Sequence, residues 1–307
     1  MLKCDDLPAL NSLYNKIIRM TGNDPNVDIR LANAIWYHNE FSVTADFTNS
    51  IYNNFYARVA GADFNSRSTV DDINRWCSDN TNGKIPTIIN NLERNSAVVW
   101  LNALYAKGDW DEKFDPNETR TTIFHGTTGI QYVEMMKDTK DRLFYNEDDY
   151  QAVFMEMKGG DNAFVFVLPN EDVDIAEFSA GGFNVTDWRD ILNNGYKPEM
   201  ILELPKFDID CEYDMIDQLV EMGMPEYARC DAMGINENLK LTALQKASTK
   251  IDESGATVAA VTKIEGGCTS PGPILSSVHL VFDRPFLYFM VNKTTGAILM
   301  AGRICNL

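Results

Sequence analysis

The chain is poor in the residues from which most active sites are made. It has only three histidines, His38, His125 and His279, and none of them sits in a HExxH helix. There is no G-x-S-x-G nucleophile elbow, no phosphate loop and no dinucleotide fingerprint, so hydrolase, nucleotide and dehydrogenase chemistry lack their usual anchors. Six cysteines (Cys4, Cys77, Cys211, Cys230, Cys268, Cys305) are scattered without CxxC spacing. In a chain of this length that pattern predicts free thiols rather than a disulfide framework or a zinc site. Positive charge is also short. Lys and Arg number 27 against 45 Asp and Glu, a formal net charge of −18. That balance argues against nucleic acid or an anionic membrane as partner, because both would be repelled. The longest apolar runs, such as 97–101 and 286–291, fall far short of the ~20 residues that span a bilayer. The stretch Met1 to Leu13 holds one Lys, two Asp and no apolar run, so no signal peptide is expected. No metal and no cofactor is expected either.

What is present is ordinary globular material: 307 residues, 45% hydrophobic and 23% charged, enough for a sizeable core. Leu10, Leu13, Ile17 and Ile18 share one helical face, and Val70, Ile73, Trp76 and Cys77 share another. Asn82-Gly83 and Pro86 close that second helix. Ala97 to Leu101 reads as a short strand buried on both faces. Further strands are predicted at 163–168 and 200–204, each ending at a proline, and a helix at 214–222 capped by Gly223. Two last strands, 287–291 and 297–304, are joined by a hairpin-like turn. Helices come first and strands accumulate later, which predicts an α+β class. Sequons stand at Asn117, Asn184 and Asn292.

Catalytic pairings are thin. Cys268 and His279 could be imagined as a thiol–imidazole couple, but Cys268 lies in a Gly- and Pro-rich stretch with nothing rigid to hold it against a base. The carboxylates Asp109, Asp111 and Glu112 read as a solvated acidic face. The chain does not read as an enzyme.

The informative segment is IDESGATVAAVTKIEGGCTSPGPILSS, residues 251–277. It has no helical period and is crowded with Gly, Ala, Ser, Thr and Pro, and structureless stretches longer than about 12–15 residues are uncommon in compact domains. Composition alone is that of a flexible surface loop. Alternate positions from Ala256 are Ala256, Val258, Ala260, Thr262, Ile264, Gly266 and Cys268, all small or apolar and none charged. Lys263 and Glu265 fall on the other parity. A strand buries every second side chain, so this loop is patterned to enter a sheet.

Glu253-Ser254-Gly255-Ala256-Thr257-Val258-Ala259-Ala260 resembles the hinge of a serpin reactive-centre loop, which has a Glu, a Gly two residues on and then small residues. The resemblance covers nearly the whole chain from about Asp28. Leu31 to Ile35 followed by Phe64 is similar to the first strand of that family's large sheet and the helix after it. Asn102 and Gly108-Asp109-Trp110 with Phe114 resemble the central strand, the Asn in the shutter and the Trp in the breach. Phe166 to Pro169, Leu204 to Phe207, Asp283 to Phe286 and Gly302-Arg303 are further signature stretches in the right order. The local style, AAVT followed by TSPGP, is nearer to bacterial members.

The resemblance implies one serpin domain over 1–307, with a large central β-sheet, smaller sheets, surrounding helices and a reactive-centre loop at about 253–277, exposed or inserted. It implies a chain that lacks the family's first helices, among them the helix beneath the shutter. It implies a single-use inhibitor of serine, or cysteine, peptidases. The loop is cut, an acyl-enzyme forms, and the cleaved loop enters the sheet. A non-inhibitory, substrate-like binding protein is the alternative. The family spacing from the hinge Glu253 sets the scissile bond at Thr269-Ser270, with Cys268-Thr269 as neighbour. Such residues suit a small primary pocket, elastase-like or subtilisin-like, and not a trypsin-like one. A monomer is expected, and on family grounds an extracellular or cell-surface location. Gln245 stands where many vertebrate members have a shutter His, so a pH-sensitive shutter is not expected.

Overall fold

The computed structural model describes residues 6–21, 27–92, 96–182, 187–224, 227–229, 233–235, 238–256 and 277–307. The chain opens with α1 (Leu7–Thr21), β1 (Val27–His38), α2 (Ala45–Phe55), β2 (Arg58–Ala62), α3 (Arg67–Asn80) and β3 (Val98–Asp109). Next come β4 (Arg120–Gly126), β5 (Gly129–Asp141), β6 (Leu143–Asn146), β7 (Tyr150–Glu156) and β8 (Asn162–Pro169), then the single turn α4 (Ile175–Glu177) and α5 (Asp187–Asn194). The last part holds β9 (Glu199–Pro205), β10 (Phe207–Asp214), α6 (Ile216–Glu221), β11 (Tyr227–Arg229) and β12 (Asn238–Ile251). It ends with β13 (Gly255–Ala256), β14 (Val278–Val281), β15 (Phe286–Asn292) and β16 (Ala297–Ile304). The mixture of helices and three sheets is the expected α+β class.

Two compact units emerge. The first comprises 1–23, 28–106 and 209–249. Its sheet runs in the order β10-β12-β3-β1-β2, with β11 added to β12. Helix α3 buries Thr69, Ile73, Trp76 and Cys77, the i, i+4, i+7, i+8 stripe of an amphipathic helix. That stripe packs with Ala32, Ala34, Trp36, Phe64, Val99, Leu101 and Ala103. Thr44 starts α2 by accepting a hydrogen bond from the Phe47 N–H, and Tyr56 ends it in the left-handed region at φ 51°.

The second unit comprises 24–27, 107–208 and 250–307. It holds a four-stranded sheet, β14-β9-β5-β4, and a five-stranded sheet, β16-β15-β8-β7-β6. Every residue of β8 is buried, because this central strand is covered on both faces. Around it Phe166 meets Trp110, Phe282 and Phe286 at ring-centroid distances of 6.4, 6.0 and 6.3 Å, edge-on. The predicted terminal hairpin forms as read, β15 pairing antiparallel with β16. In its turn the Asn292 side chain accepts from the Thr295 N–H and hydroxyl and donates to Asn162. Asn292 is therefore buried and spent, and its sequon is closed to modification in the folded chain.

Three expectations need correction. Strands do not wait for the helices to finish, since β1 and β2 alternate with α1, α2 and α3. The strand read at 97–101 continues to Asp109, and it is not buried throughout, Trp100 and Asn102 being only partly buried. Residues 251–256 are not featureless: Ile251 closes β12 and Gly255–Ala256 form β13. Phe166→Ala should lower unfolding free energy by about 3–5 kcal/mol, since the aromatic cluster around it cannot collapse into the space left. Guanidinium denaturation of the variant beside the parent measures that loss.

Candidate functional site

Residues 252–256 are fixed by their backbone. After β12, residues 252–255 make a tight turn in which the Asp252 N–H donates to the Gly255 carbonyl at 3.0 Å and the Gly255 N–H returns the bond at 3.2 Å. The chain then pairs antiparallel with the end of β3, Gly255 opposite Asp109 and Ala256 opposite Gly108. Gly255 has φ 144°, and a Cβ there would fall onto the Gly108 carbonyl oxygen and within 2.7 Å of Asp109 Cα and the Trp110 nitrogen. Only glycine lets the two backbones approach this closely.

Trp110 is the other half of the contact. Its backbone N–H donates to the Ser254 carbonyl at 2.9 Å and its indole Nε1–H to the Asp252 carbonyl at 3.0 Å, while the Phe114 N–H donates to the Glu253 carbonyl. The Glu253 side chain is nearly buried, 13% exposed, and its Oε1 accepts from the Thr119 hydroxyl at 2.8 Å and from Lys206 Nζ at 3.3 Å. Lys206 also pairs with Glu134 at 3.1 Å. Burial pushes the Glu253 carboxyl up, but the Thr119 and Lys206 bonds outweigh it and hold the group below the usual carboxylate range. Burial pulls Lys206 down, and its two carboxylate partners more than reverse that.

In the first unit, Gln245 on β12 donates Nε2–H to Asn102 Oδ1 at 2.9 Å, and Asn102 on β3 donates Nδ2–H to Asn33 Oδ1 on β1 at 2.8 Å. One amide chain thus ties three neighbouring strands. Beneath it β12 and β3 run parallel and directly hydrogen-bonded, Leu241 to Ser248 opposite Val98 to Tyr105. Ser96 and Thr242 hydroxyls meet at 3.2 Å at the same seam.

The structure therefore brings Glu253, Gly255 and Ala256 together with Trp110, and separately Asn102 with Gln245. Thr257, Val258, Ala259, Ala260, Cys268, Thr269 and Ser270 lie outside the described residues. Of the Cys268–His279 couple, His279 is engaged by Glu203 at 2.9 Å. Asp109 pairs with Lys113, in keeping with an acidic surface. Burial pushes the Cys77 thiol up to about 11, so it stays protonated and inert. Thr119, Lys206 and Asn33 have roles that spacing alone did not reveal. Thr119 is more than a hundred residues from its partner and carries no local signal, whereas Lys206, a lone cation beside apolar Leu204-Pro205 and Phe207, could have been suspected.

Among the described residues no His, Cys, Asp and Glu group could hold a metal, and no helix is long and apolar enough to cross a membrane.

Two outcomes follow from this geometry. Glu253→Gln should cost about 1 kcal/mol at pH 7, read from denaturant midpoints. Because the folded carboxyl is held below its usual value of 4.5, that advantage is complete above it and fades as pH falls through the lower folded value. Parent and variant should converge in acid. Asn102→Leu should cost about 1–3 kcal/mol, because it strands both Gln245 Nε2–H and Asn33 Oδ1.

The serpin (serine protease inhibitor) profile matches residues 2–307. An uncharacterised serpin-like protein of Thermococcus kodakarensis is 29% identical over 286 residues, 91% of this chain and 66% of its own length. Human Serpin B3 is 29% identical over 293 residues, 91% of this chain and 74% of its own length. The chain thus spans about two thirds of the archaeal relative. Among solved structures, tengpin, a thermophilic serpin in its native state, superposes with a TM-score of 0.89 at 24% identity, covering 98% of this chain and 79% of that one. Thyroxine-binding globulin with its hormone superposes at 0.84 and 24% identity, covering 97% and 81%. The family is described as serine protease inhibitors rather than enzymes, and one of these neighbours is a thyroxine-binding protein. The chain belongs to the serpin family.

Proposed function

We propose that this chain is a suicide inhibitor of a serine, or cysteine, peptidase, acting by loop cleavage, acyl-enzyme trapping and strand insertion. Serpin loop insertion is an established instance of strand addition driven by stored strain. The observation that carries the reading is the way β13 leaves the end of β12 and already occupies the first rungs on β3. Further down β3, the strands β12 and β3 still close directly on each other in parallel.

Extending the register of Gly255 on Asp109 sets Val258 opposite Ala106, Ala260 opposite Leu104, Thr262 opposite Asn102 and Ile264 opposite Trp100. The uncharged parity of the loop would thus share the face of β3 that carries the Asn102 amide. A strand entering this way is antiparallel to both neighbours and replaces a parallel seam with two antiparallel ones, the slightly stronger pairing. On the order of ten added backbone bonds at ~1 kcal/mol net each would make the step irreversible. The scissile bond is assigned to Thr269-Ser270, with Cys268-Thr269 as neighbour, in a target with a small primary pocket.

A second reading, a carrier, has one observation in its favour. An apolar cavity of about 530 Å³ lies in the first unit, lined by Ile35, Phe55, Trp100, Met215 and Leu219 among others.

Mixing the protein with pancreatic elastase and with subtilisin, followed by denaturing gels and mass spectrometry, separates the readings. A covalent higher-mass species and a released peptide beginning at Ser270 are expected. Clean cleavage without a complex would instead indicate a substrate-like or carrier protein. Val258→Arg should raise the stoichiometry of inhibition several-fold, because the entering strand would have to bury a charge. An unchanged stoichiometry would refute insertion.

A further inference from the structure

The strand that receives the chain after the loop is only four residues long. Among the described residues, strand β14 is the edge of its sheet and pairs with β9 alone, Val278 to Val281 opposite Met200 to Glu203. Short edge strands are held weakly, so side-chain ties across them count. One such tie is present. His279 Nε2 lies 2.9 Å from Glu203 Oε1, and the same oxygen accepts from Lys137 Nζ on β5 at 2.9 Å. Glu203 thus stitches three strands through one carboxylate, with its side chain 20% exposed and that of His279 half-exposed. The Phe282 N–H donates to the Glu203 carbonyl at 2.9 Å, so the backbone just past β14 rests on the same residue.

We propose that His279 and Glu203 form a pH-sensitive fastener that holds β14 more firmly in acid than in base. An imidazolium donating to a carboxylate makes a charge-assisted bond, whereas a neutral imidazole offers a weaker donor or, in its other tautomer, a lone pair facing the carboxylate. The contact is therefore stronger when the ring carries a second proton than when it does not. Burial pushes the Glu203 carboxyl up, but Lys137 and His279 more than offset it and hold it below the usual range, so it is ionised throughout the range of the test below. Among the described residues, the groups facing the pair are few. Lys137 comes from β5, and Asp141 and Glu199, opposite each other on the same face, lie towards the loop end. Asp283, beyond β14, is paired with Arg284. The two acidic groups favour the cationic ring and Lys137 opposes it. This fastener is independent of whether any peptidase attacks the loop.

The test is hydrogen exchange at the amides of Leu280, Val281 and Phe282 in the intact protein, corrected for intrinsic rate, between pH 5.5 and 8.0. Protection should fall about two- to five-fold across that range, the span set by a half-exposed ion pair. His279→Gln should give flat, low protection and His279→Lys flat, high protection, while β8 amides report that each variant is folded. A flat parent profile, or the same pH dependence in His279→Gln, overturns the proposal. Should His279→Gln not fold, the parent profile set against His279→Lys still decides, because a pH slope that survives in the lysine variant contradicts the assignment.

Discussion

The parallel seam between β3 and β12 is the constraint on which the reading of this molecule depends. Two strands of one sheet that lie directly together cannot admit a third without surrendering their ladder from Leu241 to Ser248. The Gln245–Asn102–Asn33 amide chain and the Ser96–Thr242 contact hold the seam from the side chains. A parallel pairing of this kind is a sound local minimum, but it is not the strongest arrangement open to these strands. Over that ladder no strand lies between β12 and β3, while nearer the end of β3 the rungs at Gly108 and Asp109 are taken by β13.

Where the loop departs, the contacts are of another kind. Gly255 brings two backbones together more closely than any side chain would permit, and Trp110 ties down the turn with both its main-chain and its indole N–H. Glu253 adds a buried carboxylate satisfied by Thr119 and Lys206. These bonds hold residues 252–256 in register on the end of β3. In the proposed mechanism a strand begun in register needs no search to continue.

Much of this was legible in the sequence, for physical reasons that differ from place to place. Gly255 could be located by resemblance, and the structure gives the physical reason for a glycine there, since two backbones meet at that point. The hairpin of β15 and β16 announced itself through its turn, and α3 through its apolar stripe. Strand β1 could be located by resemblance through Leu31 to Ile35, whereas the short β2 carries no apolar run, with only Val59 between Arg58 and Ala60-Gly61. The partners of Glu253 were hidden more completely, since Thr119 and Lys206 reach it only through the fold. Gln245 could be located by resemblance, but only the structure gives its bond to Asn102.

The central claim is that the sheet gains strength when the cleaved loop enters it. Limited cleavage between 257 and 276 with a metallopeptidase, which forms no acyl-enzyme and so cannot be trapped, isolates that step from inhibition. Thermal unfolding of the cleaved and intact proteins then gives the answer directly. About ten added backbone bonds correspond to a rise of roughly 20 °C or more in the unfolding temperature of the cleaved form. Identical unfolding of the two forms would mean that the loop stays outside the sheet, and the account of β3 and β12 as a seam awaiting a strand would be wrong.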